Sequence, residues 1–142
     1  MDRNEAEFAV RDAYPVYRGH TLIISSRHVS SLFELSTPER DQLFSLIDRA
    51  KSALDEQYRP DAYNIGINDG VVAGQTVPLL HIHLMPRFRG DLSDPRGRMR
   101  WIIPEKADYW SNGDCRFAIG CWSDWSCKDL FNELRLRASI QR

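Results

Sequence analysis

Two histidines, His81 and His83, lie in the run Gly74-Gln75-Thr76-Val77-Pro78-Leu79-Leu80-His81-Ile82-His83-Leu84-Met85-Pro86-Arg87. From Leu79 to Met85 the run mixes apolar residues with imidazoles, and it is expected to form one strand that Pro86 ends. Strand side chains alternate faces, so His81 and His83 share a face with Leu79, while Leu80, Ile82 and Leu84 point the other way. Imidazoles so placed can do three jobs. They can be hydrogen-bonded packing groups on a partly buried strand, ligands of a metal, or nucleophiles. In the third job a neutral ring attacks phosphorus, forms a covalent intermediate and is displaced by water. A metal needs three or four ligands, and the nearby chain has no cysteine pair, no His-Glu-x-x-His and no acidic cluster, so no metal is assigned. Attack on phosphorus needs anion-binding neighbours. Gly74, Gln75 and Thr76 offer a flexible backbone, an amide and a hydroxyl just before the strand.

Other elements must position these groups. Phe8-Ala9-Val10 and Thr21-Leu22-Ile23-Ile24-Ser25 read as two short strands around a segment holding Pro15 and Gly19, a hairpin or wide turn. Ser36-Thr37-Pro38-Glu39 starts a helix, with either Thr37 as cap or a capping box between Ser36 and Glu39. Leu43, Phe44, Ile47, Ala50 and Leu54 recur at helical spacing as one apolar stripe, and the helix should fade at Tyr58-Arg59-Pro60. Ala62 to Asn68 alternates like a strand, with Asn64, Gly66 and Asn68 on one face. On local grounds Asn68 is equally a turn residue, Asp12 a solvated loop charge and His20 a surface imidazole. The stretch Phe88 to Arg100 is rich in Gly, Pro and charge and reads as a loop. Its arginines suit either solubility or the outer phosphates of an anionic substrate. Ser123 to Leu134 reads as a capped amphipathic helix.

The chain has 142 residues, 42% of them hydrophobic, with a formal net charge of −1. That permits one proper core and gives no electrostatic footprint for nucleic acid or membrane. The charged start, Met1 to Glu7, stands where a signal peptide would turn apolar, and no apolar run reaches membrane-spanning length. Cys115, Cys121 and Cys127 are odd in number and lack C-x-x-C spacing, as expected of reduced thiols in a cytoplasm.

The run Gly-Gln-Thr-Val-Pro-x-Leu-His-Ile-His-Leu-x-Pro-Arg resembles the signature of the histidine triad superfamily of nucleotide hydrolases and transferases, in particular its dinucleoside polyphosphate hydrolase branch. That signature is His-φ-His-φ-His-φ-φ, with φ apolar. Here His81 and His83 stand as its second and third histidines and Leu79 takes the place of the first. The resemblance spans residues 5 to 110, the last part being the tail Trp101 to Trp110.

It implies an α+β fold, an antiparallel sheet of about five strands with one long helix, here followed by a C-terminal helix. Residues 1–110 would form the nucleotide-binding domain, and 111–142 an extension packed on that domain or on a partner. It implies His81 as nucleophile on the α-phosphorus of a nucleotide conjugate, a dinucleoside polyphosphate or nucleoside phosphoramidate. His83 and Thr76 would assist at the scissile phosphate. Asn68, thirteen residues before His81, would contact the phosphate or leaving group beside Gly74 and Gln75. Asp12, eight residues before His20, would contact the ribose hydroxyls, with Phe8, Val10 and the Leu22–Ile24 run flanking a nucleoside pocket. No cofactor is implied beyond a divalent ion accompanying a polyphosphate substrate. A homodimer is expected. Because the nucleophile must be neutral, activity should fall at acidic pH. Leu79 keeps a second reading open, a nucleotide-binding module with little or no turnover.

Overall fold

The computed structural model describes residues 8–107. The expected helix over 123–134 and the three cysteines lie outside them. The chain divides into two compact units between Leu92 and Ser93.

The first unit is built on an antiparallel sheet. Its strands are β1 (Phe8–Arg11), β2 (Thr21–Ile24), β3 (Ala62–Gly66) and β4 (His81–Arg87), in the order β1-β2-β4-β3. The histidine-bearing strand is therefore central. Its burial alternates as the sequence requires, with Ile82, Leu84 and Pro86 buried and His81, His83, Met85 and Arg87 half-buried. The strand departs from expectation at both ends. Leu79 stands outside it, in a bend where its N–H bonds the Val77 carbonyl, and Pro86 continues it. The proline is tolerated because β2 ends at Thr21, opposite Leu84, whereas β3 runs on beside Pro86 and Arg87. Asp61 donates to the Arg87 carbonyl, so the nitrogen of the preceding residue faces the side β2 has vacated, and no ladder bond is lost there.

One sheet face is covered by α1 (Thr37–Tyr58). The helix begins as a capping box, Glu39 reaching back to the N–H and hydroxyl of Ser36 at 2.7 and 2.8 Å. It ends at Arg59, which is left-handed (φ 50°) just before Pro60. Leu43, Leu46, Ile47 and Leu54 are buried against Ile23, Leu80, Ile82 and Leu84, with Ala50 packed alongside. Phe44 is 54% exposed, and Leu46 takes the place expected for it on the buried stripe. Positions 43, 46, 47 and 54 make one helix face, and 44 lies a hundred degrees round from 43.

The hairpin connecting β1 to β2 is held tightly. Arg11 donates to the Gly19 carbonyl, the Thr21 hydroxyl and Gln57, and its guanidinium lies over the Tyr58 ring. Gly19 has φ +84°, and a side chain there would meet Leu54, Tyr58 and Pro86, each at 3.1 Å. Only glycine fits that conformation and that space.

Of the second unit, residues 93–107 are irregular apart from single 3-10 turns at Arg98–Arg100 and Pro104–Lys106. Asp94 accepts from the Arg96 side chain and backbone. Among the described residues no helix is long and apolar enough to cross a membrane.

Candidate active site

The sheet face opposite α1 carries the chemistry, and register decides what stands beside what. Phe8, Ile24 and His81 form one cross-strand row, and Val10, Leu22, His83 and Gly66 form the next. Residues directly opposite share a face, so two imidazoles stand beside a strip made by Phe8, Val10, Leu22 and Ile24. Phe8 and Val10 remain 53% and 41% exposed, which leaves this strip open to a flat apolar ligand.

His81 is oriented by backbone. Its Nδ1 lies 2.8 Å from the Leu79 carbonyl oxygen, which can only accept, so the neutral ring carries its proton on Nδ1. Nε2 then holds the lone pair and has no protein partner among the described residues. A neutral imidazole with a bare, accessible Nε2 is a nucleophile. Residue type alone could not show this hold, because it uses a carbonyl that any residue at position 79 supplies.

His83 is oriented by side chains. Its Nδ1 lies 3.0 Å from His20 Nε2, and the other nitrogen of His20, Nδ1, is 3.2 Å from Asp12 Oδ2. The His81 and His83 rings meet edge to face, centroids 5.0 Å apart. Burial holds His20 below the ordinary histidine range, against the opposing pull of Asp12. Burial also lowers His83, helped by His81 and His20 and opposed by Asp12. The expectation of a surface imidazole at His20 is corrected here, for the ring is 3% exposed. The hairpin brings Asp12 to His20, Oδ2 standing 3.2 Å from Nδ1.

Ligand atoms of Asp12, His20 and His83 fall within 4.8 Å of one another. Two of the three are joined by a hydrogen bond rather than left with free lone pairs. His20 Nε2 and His83 Nδ1 share one proton between them at 3.0 Å, and His20 Nδ1 accepts the Val16 N–H at 3.4 Å, so both His20 nitrogens are already engaged. A metal requires lone pairs converging on one point about 2 Å away.

The turn before β4 is shaped by glycine. Gly70 (φ +94°) and Gly74 (φ +89°) bracket the 3-10 turn Val71–Ala73, and the N–H groups of Gly74 and Gln75 bond the carbonyls of Val71 and Gly70. The Gln75 side chain is engaged in scaffold contacts, donating to the Ser30 carbonyl at 2.8 Å and accepting the Gly70 N–H at 2.9 Å. Asp69 pins the same loop by accepting from the Ser31 hydroxyl and the Leu32 N–H. Thr76 is exposed at the end of this turn, its hydroxyl without a protein partner among the described residues. Asn68 is half-buried, its side-chain nitrogen 3.9 Å from where a Gly74 Cβ would stand. Asn68 and Gly74 thus stand near each other in the turn before β4, while His20 bonds His83.

A model of the HIT domain matches residues 2–90. The bis(5'-nucleosyl)-tetraphosphatase [asymmetrical] of Schizosaccharomyces pombe is 37% identical over 92 residues, 65% of this chain and 50% of that protein. The bis(5'-adenosyl)-triphosphatase of Saccharomyces cerevisiae is 31% identical over 125 residues, 87% of this chain and 54% of that protein. The chain thus spans about half the length of the curated relatives it matches. Among solved structures, the NitFhit protein of Caenorhabditis elegans superposes with a TM-score of 0.58 at 34% identity, over 71% of this chain and 24% of that one.

Proposed function

The chain belongs to the HIT domain family, and from that premise we propose that it is a nucleotide hydrolase acting on the α-phosphate of a dinucleoside polyphosphate or a nucleoside phosphoramidate. The observation that carries the reading is the 2.8 Å contact between His81 Nδ1 and the Leu79 carbonyl, which leaves Nε2 bare beside an exposed apolar strip. The nucleobase lies along Phe8, Val10, Leu22 and Ile24. His81 Nε2 attacks phosphorus, the bond to the leaving group breaks, and a nucleotidyl-His81 intermediate forms. The Thr76 hydroxyl and the Asn68 amide meet the phosphoryl oxygens and the leaving group as charge gathers there. Water then breaks the P–N bond, returning the electron pair to Nε2 and releasing the nucleoside monophosphate. The residues need no resident cofactor, and a divalent cation travels with a polyphosphate substrate and screens its charge. Two copies forming a homodimer, in the cytoplasm, complete the reading.

Leu79 favours a second reading, a nucleotide-binding module without turnover, since it removes one imidazole from the edge of the site. The deciding experiment is hydrolysis of diadenosine tetraphosphate and of an adenosine phosphoramidate by this chain, by His81→Ala and by Leu79→His. Turnover by the chain and not by His81→Ala, with a trapped adenylyl-His81 adduct, supports the hydrolase. Activity in Leu79→His alone makes the native chain a binder.

A further inference from the structure

Phosphoryl transfer asks opposite things of two neighbouring imidazoles, a bare nitrogen to attack phosphorus and a proton to meet the charge that gathers on its oxygens. A neutral ring has one nitrogen of each kind, so the outcome depends on which one faces the reaction. We propose that the backbone amide of Val16, in the β1–β2 hairpin, is the positioning group for the second ring: it keeps the His20 proton on Nε2, and His20 in turn keeps the His83 proton on Nε2. His83 is then a hydrogen-bond donor to a phosphoryl oxygen and not a base. The inference rests on His81 being the nucleophile.

The proton count starts from a group that has no second state. A backbone N–H always carries its hydrogen, and that of Val16 donates to His20 Nδ1 at 3.4 Å. A ring proton on Nδ1 would meet that hydrogen head on, so Nδ1 keeps its lone pair. Asp12 Oδ2, 3.2 Å from the same nitrogen, stands at an ion-pair distance without hydrogen-bond alignment, and the other Asp12 oxygen accepts the Tyr14 N–H at 2.9 Å. Burial, the largest influence on both rings, holds His20 and His83 below the ordinary histidine range, so each carries one proton near neutral pH. The His20 proton is therefore on Nε2 and is donated to His83 Nδ1 at 3.0 Å. His83 must accept there. Its own proton is left on Nε2, which has no protein partner among the described residues.

His81 carries the opposite tautomer. The Leu79 carbonyl keeps the His81 proton on Nδ1 and leaves Nε2 bare. A backbone carbonyl thus makes one ring a nucleophile, and a backbone amide, acting through His20, makes its neighbour a donor. The two rings meet edge to face with centroids 5.0 Å apart. In the first step His81 Nε2 bonds to phosphorus as the bond to the leaving group breaks, while the His83 Nε2–H holds an oxygen whose charge grows. In the second, the water oxygen bonds to phosphorus as the bond to His81 Nε2 breaks and the electron pair returns to that ring. The His83 proton stays on His83 throughout, and the proton of the attacking water leaves to solvent.

Ring tautomers and the separate steps of turnover test this on the full chain. Nitrogen-15 correlation spectra of the imidazoles should show His81 protonated on Nδ1, and His20 and His83 both protonated on Nε2. Replacing Val16 by its α-hydroxy analogue deletes the N–H and keeps the side chain. His20 should then shift towards the Nδ1–H form and His83 should follow, and kcat with diadenosine tetraphosphate should fall by about tenfold while KM stays within about threefold. Val16→Ala, which keeps the amide, should leave both tautomers in place, and so should Asp12→Asn. In His83→Ala the adenylyl-His81 adduct should form at least about tenfold more slowly in a single turnover. An adduct that forms at the native rate and then accumulates would make His83 the base of the water step and overturn the proposal. So would an Nδ1–H tautomer of His20 or His83 in the native chain, or tautomers unmoved by loss of the Val16 N–H. If the native chain does not turn over at all, the hydrolase reading fails and the tautomers alone decide the role of Val16. The native spectra also decide it should the hydroxy variant not fold.

Discussion

His81 and His83 lie two residues apart on one strand, on one face, and are held by unlike means. The Leu79 carbonyl fixes His81, so its orientation depends on backbone path and on no particular side chain. The His20 ring fixes His83, and His20 in turn is held by the hairpin, where the Val16 N–H donates to its Nδ1 and Asp12 stands 3.2 Å away. A backbone hold is hard to mutate and cannot be titrated. A side-chain hold can be broken by substitution or by protons. The two ends of the site should therefore respond differently to the same kinds of perturbation.

The largest effect should come from removing the nucleophile itself. His81→Ala should reduce turnover of diadenosine tetraphosphate by about 10⁴-fold or more, measured by chromatographic release of AMP. Removing the support of His83 should cost less: His20→Gln should lower kcat by about ten- to a hundredfold and leave the adenylyl-His81 adduct detectable. An adduct lost together with turnover in His20→Gln would mean that the two histidines are not independently held.

A smaller effect should appear in stability against pH. His20 and His83 are both held below the ordinary histidine value by burial. Above about pH 6.5 the folded and unfolded chains both keep these rings neutral, so the full stability is present. As pH falls below that, the unfolded chain binds protons that the buried rings resist, and stability declines until the folded rings titrate as well. Glu39, Asp91 and Asp94, held at about 2, withdraw their own contribution only in more acidic solution, below the ordinary carboxylate range of about 4. Melting temperature should therefore drop between about pH 6.5 and about pH 5, and the drop should shrink in His20→Gln. An unchanged slope in that variant would place the sensitivity outside the His83 hold.

Much of this site was legible in sequence because strands alternate and motifs have fixed spacing. The period of two placed His81 and His83 on the face opposite Leu80, Ile82 and Leu84, and burial follows that alternation. The capping box and Pro60 fixed the ends of α1. What could not be read were contacts made by long-range register or by backbone. Pro86 looked like a strand end because the sequence does not show that β2 stops opposite Leu84. That the Gln75 amide donates to the Ser30 carbonyl could not be read either, because that partner is 45 residues away. The meeting of Asp12, His20 and His83 depends on the hairpin turn and on β2 lying beside β4, and no local pattern specifies that pairing.

The smallest effect should be at Leu79, the position where a family histidine is missing. Its side chain is half-buried, and its carbonyl makes the one hydrogen bond to the His81 ring among the described residues. Truncating the side chain leaves the carbonyl in place, since the bend is fixed by the Leu79 N–H on Val77 and the Leu80 N–H on the Val29 carbonyl at 2.7 Å. Leu79→Ala should then change kcat by less than about threefold and cost about 1 kcal/mol of stability from lost apolar contact, read by denaturant unfolding. If Leu79→Ala instead removed turnover as His20→Gln does, the side chain and not the backbone would be orienting His81, and the contrast between the two histidines would collapse.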